Sequence, residues 1–184
     1  MHSSAYGFAI SALSREEVEG RSVAETGAFN VNGSCRPYIQ SLDPASYVGT
    51  DIRAGDCVDH VADAADLPKF GTFDIVVSTE MLEHAEDWRA AVRGMITALN
   101  PGGLLVITTR SEGFPKHDHP GDFWRYSLAD KNKIACEAGL EIIRLENDWE
   151  APGVFLKARK PEDWDVPDFE WRLDWPDVTL TAIE

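Results

Sequence analysis

Two groups of residues in this chain combine types and spacings suited to chemistry. The first is Glu25-Thr-Gly-Ala-Phe-Asn-Val-Asn-Gly33, directly after the short apolar run Val23-Ala24, with Asp51 closing a second apolar run, Tyr47-Val-Gly-Thr-Asp51. A glycine turn at a strand end lets a ligand approach the backbone. A carboxylate at the end of the next strand accepts hydrogen bonds from ribose hydroxyls. The pair therefore describes a nucleoside site. The second group is the imidazoles of His84, His117 and His119. These titrate near neutrality and can take a proton from a nucleophile, so they are the candidate catalytic residues.

The nucleoside is not expected to be a dinucleotide. A pyrophosphate site needs G-x-G-x-x-G, whose third glycine lets the following helix pack closely. Here the glycines are Gly27 and Gly33, with five residues between them, and no such fingerprint follows. Glu25, just before the turn, would repel phosphate and suit a cationic amine. An NAD-dependent oxidoreductase is disfavoured on both counts.

The segment 110–126, Arg-Ser-Glu-Gly-Phe-Pro-Lys-His-Asp-His-Pro-Gly-Asp-Phe-Trp-Arg-Tyr, has no usable periodicity. A loop of this length in a compact domain is usually functional or disordered, and its aromatics and histidines argue against disorder. It is read as the substrate-side element. Arg110, Trp124, Arg125 and Tyr126 are its candidate contacts: Trp124 and Tyr126 as a wall, Arg125 pairing with a substrate carboxylate or with Asp122. His84 could equally cap or pack at the start of the helix that follows it. His117 and His119 could ligate a metal at i, i+2, but no third ligand stands nearby, and no metal is expected.

These residues need a scaffold that brings strand ends together. Val23 to Glu25, Tyr47 to Asp51 and Val58 to Ala62 are expected as three short strands. Phe73-Asp-Ile-Val-Val-Ser78 and Leu104-Leu-Val-Ile-Thr-Thr109 are expected as buried strands. Between the last two, Trp88, Ala91, Val92, Met95, Ile96 and Leu99 form one apolar helical stripe, stopped by Asn100-Pro-Gly-Gly103. Ser14-Arg-Glu-Glu17 reads as a capping box, residues 33–42 contain a short helix, and Ser127 caps another that ends by Gly139. Glu141 to Trp149 and Gly153 to Ala158 form a final strand pair. Alternating strands and helices with apolar central strands imply an α/β fold, a mostly parallel sheet covered on both faces. Ligands then bind beyond the carboxyl ends of the strands, where Gly27, Asp51, Asp63 and Ser78 fall.

Composition narrows the partners. The net charge of −15 over 184 residues opposes binding to a phosphate backbone, so nucleic acid is not an expected partner. No run approaches a membrane span, and the first ten residues lack a basic leader, so the expected setting is cytoplasmic. Cys35, Cys57 and Cys136 are too scattered for a zinc ribbon or a disulfide framework. Residues 1–160 are read as one domain. Residues 161–184 differ, with eight acidic side chains, one Arg and three Trp. They are too aromatic for a plain disordered tail and are expected to pack on the domain or to form a homodimer interface.

Five segments in order carry a family resemblance across roughly residues 22–160. They are Glu25-Thr-Gly27, Asp51, Val61-Ala-Asp63-Ala-Ala-Asp-Leu-Pro68, Phe73-Asp-Ile-Val-Val-Ser-Thr-Glu-Met-Leu-Glu-His84 and Leu99-Asn-Pro-Gly-Gly-Leu-Leu-Val106. This series resembles class I S-adenosylmethionine-dependent methyltransferases. The resemblance implies a Rossmann-like, seven-stranded, mostly parallel sheet with an antiparallel strand near the C-terminus and helices on both faces. It implies S-adenosylmethionine as cofactor and S-adenosylhomocysteine as product, with a methyl group passing to an O or N atom of a small-molecule acceptor. By the same resemblance Gly27 admits the methionine moiety and Glu25 holds its ammonium. Asp51 accepts from both ribose hydroxyls, Asp63 and Ala64 meet the adenine, and Ser78 and Thr79 line the floor near the sulfonium. Asn30 and Ile52 complete the cofactor set. Glu80-x-x-Glu83-His84 is similar to a metal-binding pattern of ubiquinone-pathway O-methyltransferases and of methyltransferases acting on small-RNA 3′ ends, but relatives without metal share these letters. The alternative expectation is a non-catalytic module binding the same nucleosides, or a subunit of a larger assembly. Ala28 to Asn32 departs from the usual small-residue loop.

Overall fold

The computed structural model describes residues 1–118 and 120–164. Its strands are β1 (Ser22–Thr26), β2 (Ser46–Asp51), β3 (His60–Val61), β4 (Phe73–Thr79), β5 (Leu99–Arg110), β6 (Glu141–Asn147) and β7 (Gly153–Arg159). They form one seven-stranded sheet in the order β3-β2-β1-β4-β5-β7-β6. The first five strands pair in parallel, and β7 runs antiparallel to both β5 and β6. This is the Rossmann-like class I arrangement the motifs implied.

Strand alternation sends neighbouring side chains to opposite faces. Val76, Leu105, Ile107 and Leu156 pack with Met95 and Ile134, from helices α4 (Trp88–Ala98) and α5 (Leu128–Glu137). Ile75, Val77, Leu104, Val106 and Phe155 pack on the other face with Phe8 and Ile39. Those two come from helices α1 (Ser3–Ser11) and α3 (Arg36–Gln40). Between them, α2 (Arg15–Val18) carries the expected capping box, with the Ser14 amide donating to Glu17 Oε2 at 3.0 Å. Helix α1 was not foreseen, because Gly7 breaks its apolar run and no side chain caps its start. Among the described residues, no helix is long and apolar enough to cross a membrane.

Helix α4 buries the predicted stripe. Asp87 caps it by accepting from the Ala90 amide at 2.9 Å. Gly94 lets it sit against the 3-10 helix Ala64–Phe70, where a Cβ would lie 2.4 Å from the Ala64 carbonyl oxygen. That contact fixes the turn carrying Asp63. The helix ends at Ala98, and Asn100 to Gly103 belong to β5 rather than to a loop. Third-strand pairing is confined to His60 and Val61, shorter than the expected 58–62.

The sheet order reverses between β1 and β4, which opens a crevice beyond their carboxyl ends. At the other end of the chain, the Trp164 indole donates to the Ala138 carbonyl at 2.8 Å, so the start of the acidic extension lies against α5. The expectations for Trp171, Trp175 and a homodimer interface fall on 165–184, outside the described residues.

Candidate functional site

A cavity of about 580 Å³ occupies that crevice, within the size range of small-ligand sites. Its walls come from the ends of β1, β2 and β4, from the Asp63 turn and from the loop after β5.

Gly27 follows β1 with φ +75°, a left-handed conformation natural to glycine. A Cβ there would lie 2.5 Å from Met81 Cβ and Cγ, so the cavity floor depends on its absence. Glu25 lines the cavity yet is only 2% exposed. Burial pushes its carboxyl up to about 7, against the hydrogen bond from the Tyr47 hydroxyl and the charge of Arg36. The Tyr47 bond is 2.6 Å long. Asp51 ends β2, its two oxygens accepting from the Arg53 amide at 2.9 Å and the Phe29 amide at 3.3 Å. Asp63 accepts from the Ala65 amide at 2.8 Å and opens the 3-10 helix. Asp51, Ile52, Asp63, Ala64 and Thr79 all reach the cavity wall.

Two residues of the expected cofactor set stand back from it. Ser78 is fully buried in β4. Asn30 pins the loop, donating to Asp56 Oδ2 at 3.0 Å and accepting from the Gly33 amide at 2.9 Å. The bulky Phe29 does not plug the site: its ring lies over Gly55 and under the Arg53 guanidinium, 4.9 Å from the ring centroid. The cavity stays open beside it.

The four residues expected on the acceptor side, Arg110, Trp124, Arg125 and Tyr126, lie behind the wall instead. Arg110 is fully buried, pairing with Asp148 at 2.9 Å and with Glu80. The Trp124 indole donates to the Ala85 carbonyl at 2.8 Å. Tyr126 is 2% exposed and donates to the Leu82 carbonyl at 3.2 Å. Arg125 pairs with Asp122, the second of its two expected partners, and donates to the carbonyls of Phe114, Pro115 and Trp124. Large amphipathic side chains in a loop read equally well as contacts or as anchors, and here burial decides for anchoring.

His84 and His117 do meet at the cavity, their ring centroids 4.8 Å apart and nearly perpendicular. His84 Nδ1 faces the Gly121 carbonyl. His117 Nδ1 lies 3.2 Å from Asp122 Oδ2. His119 falls outside the described residues. Phe114, Pro120, Phe123 and Met81 complete this end and were not singled out from sequence. The only available signal was aromatic density in an aperiodic loop. Beneath the imidazoles, Glu83 is fully buried, and neither carboxylate oxygen meets a hydrogen-bond donor from another residue. Burial pushes its carboxyl up to about 7. Glu80 takes φ +49°, a strained conformation for a non-glycine residue at the end of β4.

Residues 24–143 match a family model described as a methyltransferase domain. The chain is 26% identical over 156 residues to 2-methyl-6-phytyl-1,4-hydroquinone methyltransferase of Synechocystis, covering 84% of this chain and 48% of that protein. It is 38% identical over 61 residues to a ubiquinone biosynthesis O-methyltransferase of Ralstonia nicotianae, covering 32% and 26% respectively. The chain thus spans less than half the length of these curated relatives. Among solved structures, 1,6-didemethyltoxoflavin-N1-methyltransferase of Burkholderia thailandensis, with 1,6-didemethyltoxoflavin and S-adenosylhomocysteine bound, superposes with a TM-score of 0.67. Sequence identity is 13%, covering 85% of this chain and 78% of that one.

Proposed function

Because the chain belongs to the methyltransferase-domain family, with the class I fold, we propose that its cavity binds S-adenosylmethionine and that it methylates an oxygen or nitrogen of a small acceptor. One observation carries the reading. Gly27, Asp51 and Asp63 close consecutive segments of the sheet edge and converge on a single cavity, with no pyrophosphate cradle beside them. The cavity fits the cofactor chemically. A floor that a Cβ would fill suits close approach of a ligand backbone, carboxylates suit ribose and adenine donors, and a buried acid suits an ammonium.

When bound, the cofactor supplies a methyl group on an already activated sulfonium. The chain's own work is alignment and exclusion of water. Glu25 would hold the ammonium and Asp51 both ribose hydroxyls. Asp63 would meet the adenine amino group beside the Ala64 backbone, with Ile52 alongside and Thr79 near the sulfur. Ser78 and Asn30 would support these contacts from behind the wall. His84 and His117, among Phe114 and Phe123, would meet the acceptor's nucleophile. An apolar, aromatic enclosure with two imidazoles suits an aromatic acceptor carrying a hydroxyl or amine. The relatives' names, a hydroquinone and a ubiquinone-pathway methyltransferase, support that class.

Thermal unfolding with S-adenosylmethionine, S-adenosylhomocysteine and NAD tests the cofactor. A ligand at 100 times its Kd adds roughly 2.7 kcal/mol of stability. Stabilisation by both sulfur nucleosides and not by NAD is expected, and its absence overturns the assignment. Transfer of labelled methyl to a panel of phenols and aromatic amines tests catalysis, and cofactor binding without transfer to any of them would favour a binding-only role.

A further inference from the structure

We propose that Tyr47 and Arg36 are positioning residues for the ammonium of the nucleoside: a chain of contacts runs from them to Glu25 and holds its carboxylate charged and aligned at the cavity wall. The inference rests on the methyltransferase reading.

The chain is built on strand register. Val23 pairs with Tyr47 and Glu25 with Gly49, so these four residues share one face of the sheet. On that face the Tyr47 hydroxyl donates to Glu25 Oε2 at 2.6 Å. That leaves Oε1 for a donor arriving through the cavity, which Glu25 lines. The Arg36 guanidinium carbon lies 4.9 Å from the centroid of the Tyr47 ring, a cation over an aromatic face. Arg36 is itself pinned. Its Nη1 donates to the Cys57 carbonyl at 2.9 Å, and its Nη2 pairs with Asp59 Oδ2 at 3.0 Å. Asp59 Oδ2 also accepts from the Gly49 amide at 2.7 Å. A Cβ on Gly49 would lie 2.2 Å from the Cys57 carbonyl oxygen, so the glycine beside Glu25 makes room for the carbonyl that holds Arg36.

Each link works against the cost of burying a charge at Glu25. Among the described residues, the titratable groups that act on it are Tyr47 from β2 and Arg36 and Cys35 from α3 and its head. Burial, and then the Glu25 charge, push the Tyr47 hydroxyl well above its ordinary range, so it keeps its proton and serves Glu25 as a donor. Burial likewise pushes the Cys35 thiol up to about 12, so it adds no charge. The Tyr47 hydrogen bond and the Arg36 charge both favour the ionised carboxylate. Without them a ligand ammonium would meet a neutral acid over a wider pH range.

The test is calorimetric titration of the parent and Tyr47→Phe at pH ~6.5 and pH ~8.5. The ligands are S-adenosylhomocysteine and 5′-methylthioadenosine, which carries the adenosine and the sulfur but no ammonium. Loss of the hydrogen bond should move the pH profile of S-adenosylhomocysteine affinity upward by about one unit. Tyr47→Phe should then bind it roughly 8-fold more weakly at pH ~6.5 and within about 2-fold of the parent at pH ~8.5. Affinity for methylthioadenosine should be unchanged at both. Arg36→Gln should move the profile in the same direction, and it decides alone if circular dichroism shows Tyr47→Phe unfolded. An unshifted profile in the folded variants, or equal weakening of both nucleosides, overturns this inference alone. Failure of the parent to bind S-adenosylhomocysteine at either pH overturns the cofactor reading, and this inference with it.

Discussion

Glu25 offers the sharpest test of the cofactor geometry. Its carboxyl is lifted from 4.5 to about 7, chiefly by burial. Keeping the charged form in the unliganded fold therefore costs about 3 kcal/mol. A ligand ammonium beside it would remove that cost, so binding below neutrality requires the carboxyl to give up its proton. Affinity for S-adenosylhomocysteine should then fall by about 30-fold between pH ~8 and pH ~5.5, or about 2 kcal/mol. Calorimetry in buffers of different ionisation enthalpy should show close to one proton released per ligand near pH 6, roughly a unit below the carboxyl's pKa. Glu25→Gln should abolish both the slope and the proton release, and weaken binding at pH ~8 by removing a charged contact worth about 1.5–3 kcal/mol. The sign for stability is opposite. An acid raised by folding contributes its stability in full below its unfolded pKa near 4.5 and loses it as pH rises through about 7. Unliganded Glu25→Gln should therefore be more stable than the parent at pH ~8, by up to about 3 kcal/mol. A parent protein with pH-independent affinity, or a Gln variant keeping the parent's slope, would refute the reasoning.

Asp51→Ala should raise the Kd for S-adenosylhomocysteine about 10- to 100-fold by calorimetry, since two hydroxyl contacts to a charged acceptor are lost. Gly27→Ala meets both a left-handed φ and Met81 at 2.5 Å; it should cost about 1–3 kcal/mol in urea unfolding and also weaken the nucleoside. Arg125→Met leaves buried Asp122 without its cation and should destabilise the chain by about 3–5 kcal/mol, with protease cuts appearing first between 111 and 126. Met95→Ala should cost about 2–5 kcal/mol without altering nucleoside affinity beyond the loss of folded protein.

Most of the scaffold was legible because its signals are local. The β-branched runs of β4 and β5, the stripe of α4 and the Ser14 and Ser127 caps each announce themselves within a few residues. Asp51, Asp63 and Gly27 were legible because a sheet edge gathers strand ends whatever lies between them. The acceptor end was harder. Whether Trp124 and Tyr126 face a ligand or the core depends on partners far along the chain, Ala85 and Leu82, and no periodicity encodes which way a loop side chain turns. The same holds for Arg110, whose partners Glu80 and Asp148 come from different strand ends. For Arg125 the local partner Asp122 was visible in sequence, and only burial shows that it wins over a ligand. Helix α1 was lost for the opposite reason: a weak local signal is stabilised from outside, by Phe8 packing 5.0 Å from Phe155.

Strand β7 has a consequence for biosynthesis. Among the described residues it is the last strand in sequence, but it sits between β5 and β6, pairing with β5 from Leu104 through Arg110. As the chain leaves the ribosome, every cavity-lining residue up to Phe123 is made before Gly153 is. The nascent protein therefore carries a finished set of ligand contacts on a sheet whose strand β5 still exposes its backbone amides and carbonyls along one side. Such an edge is a template for pairing with other chains. Interrupting synthesis between β6 and β7 should thus yield an aggregation-prone species, while the seven residues of β7 pair the open side of β5 and join β6 to the sheet.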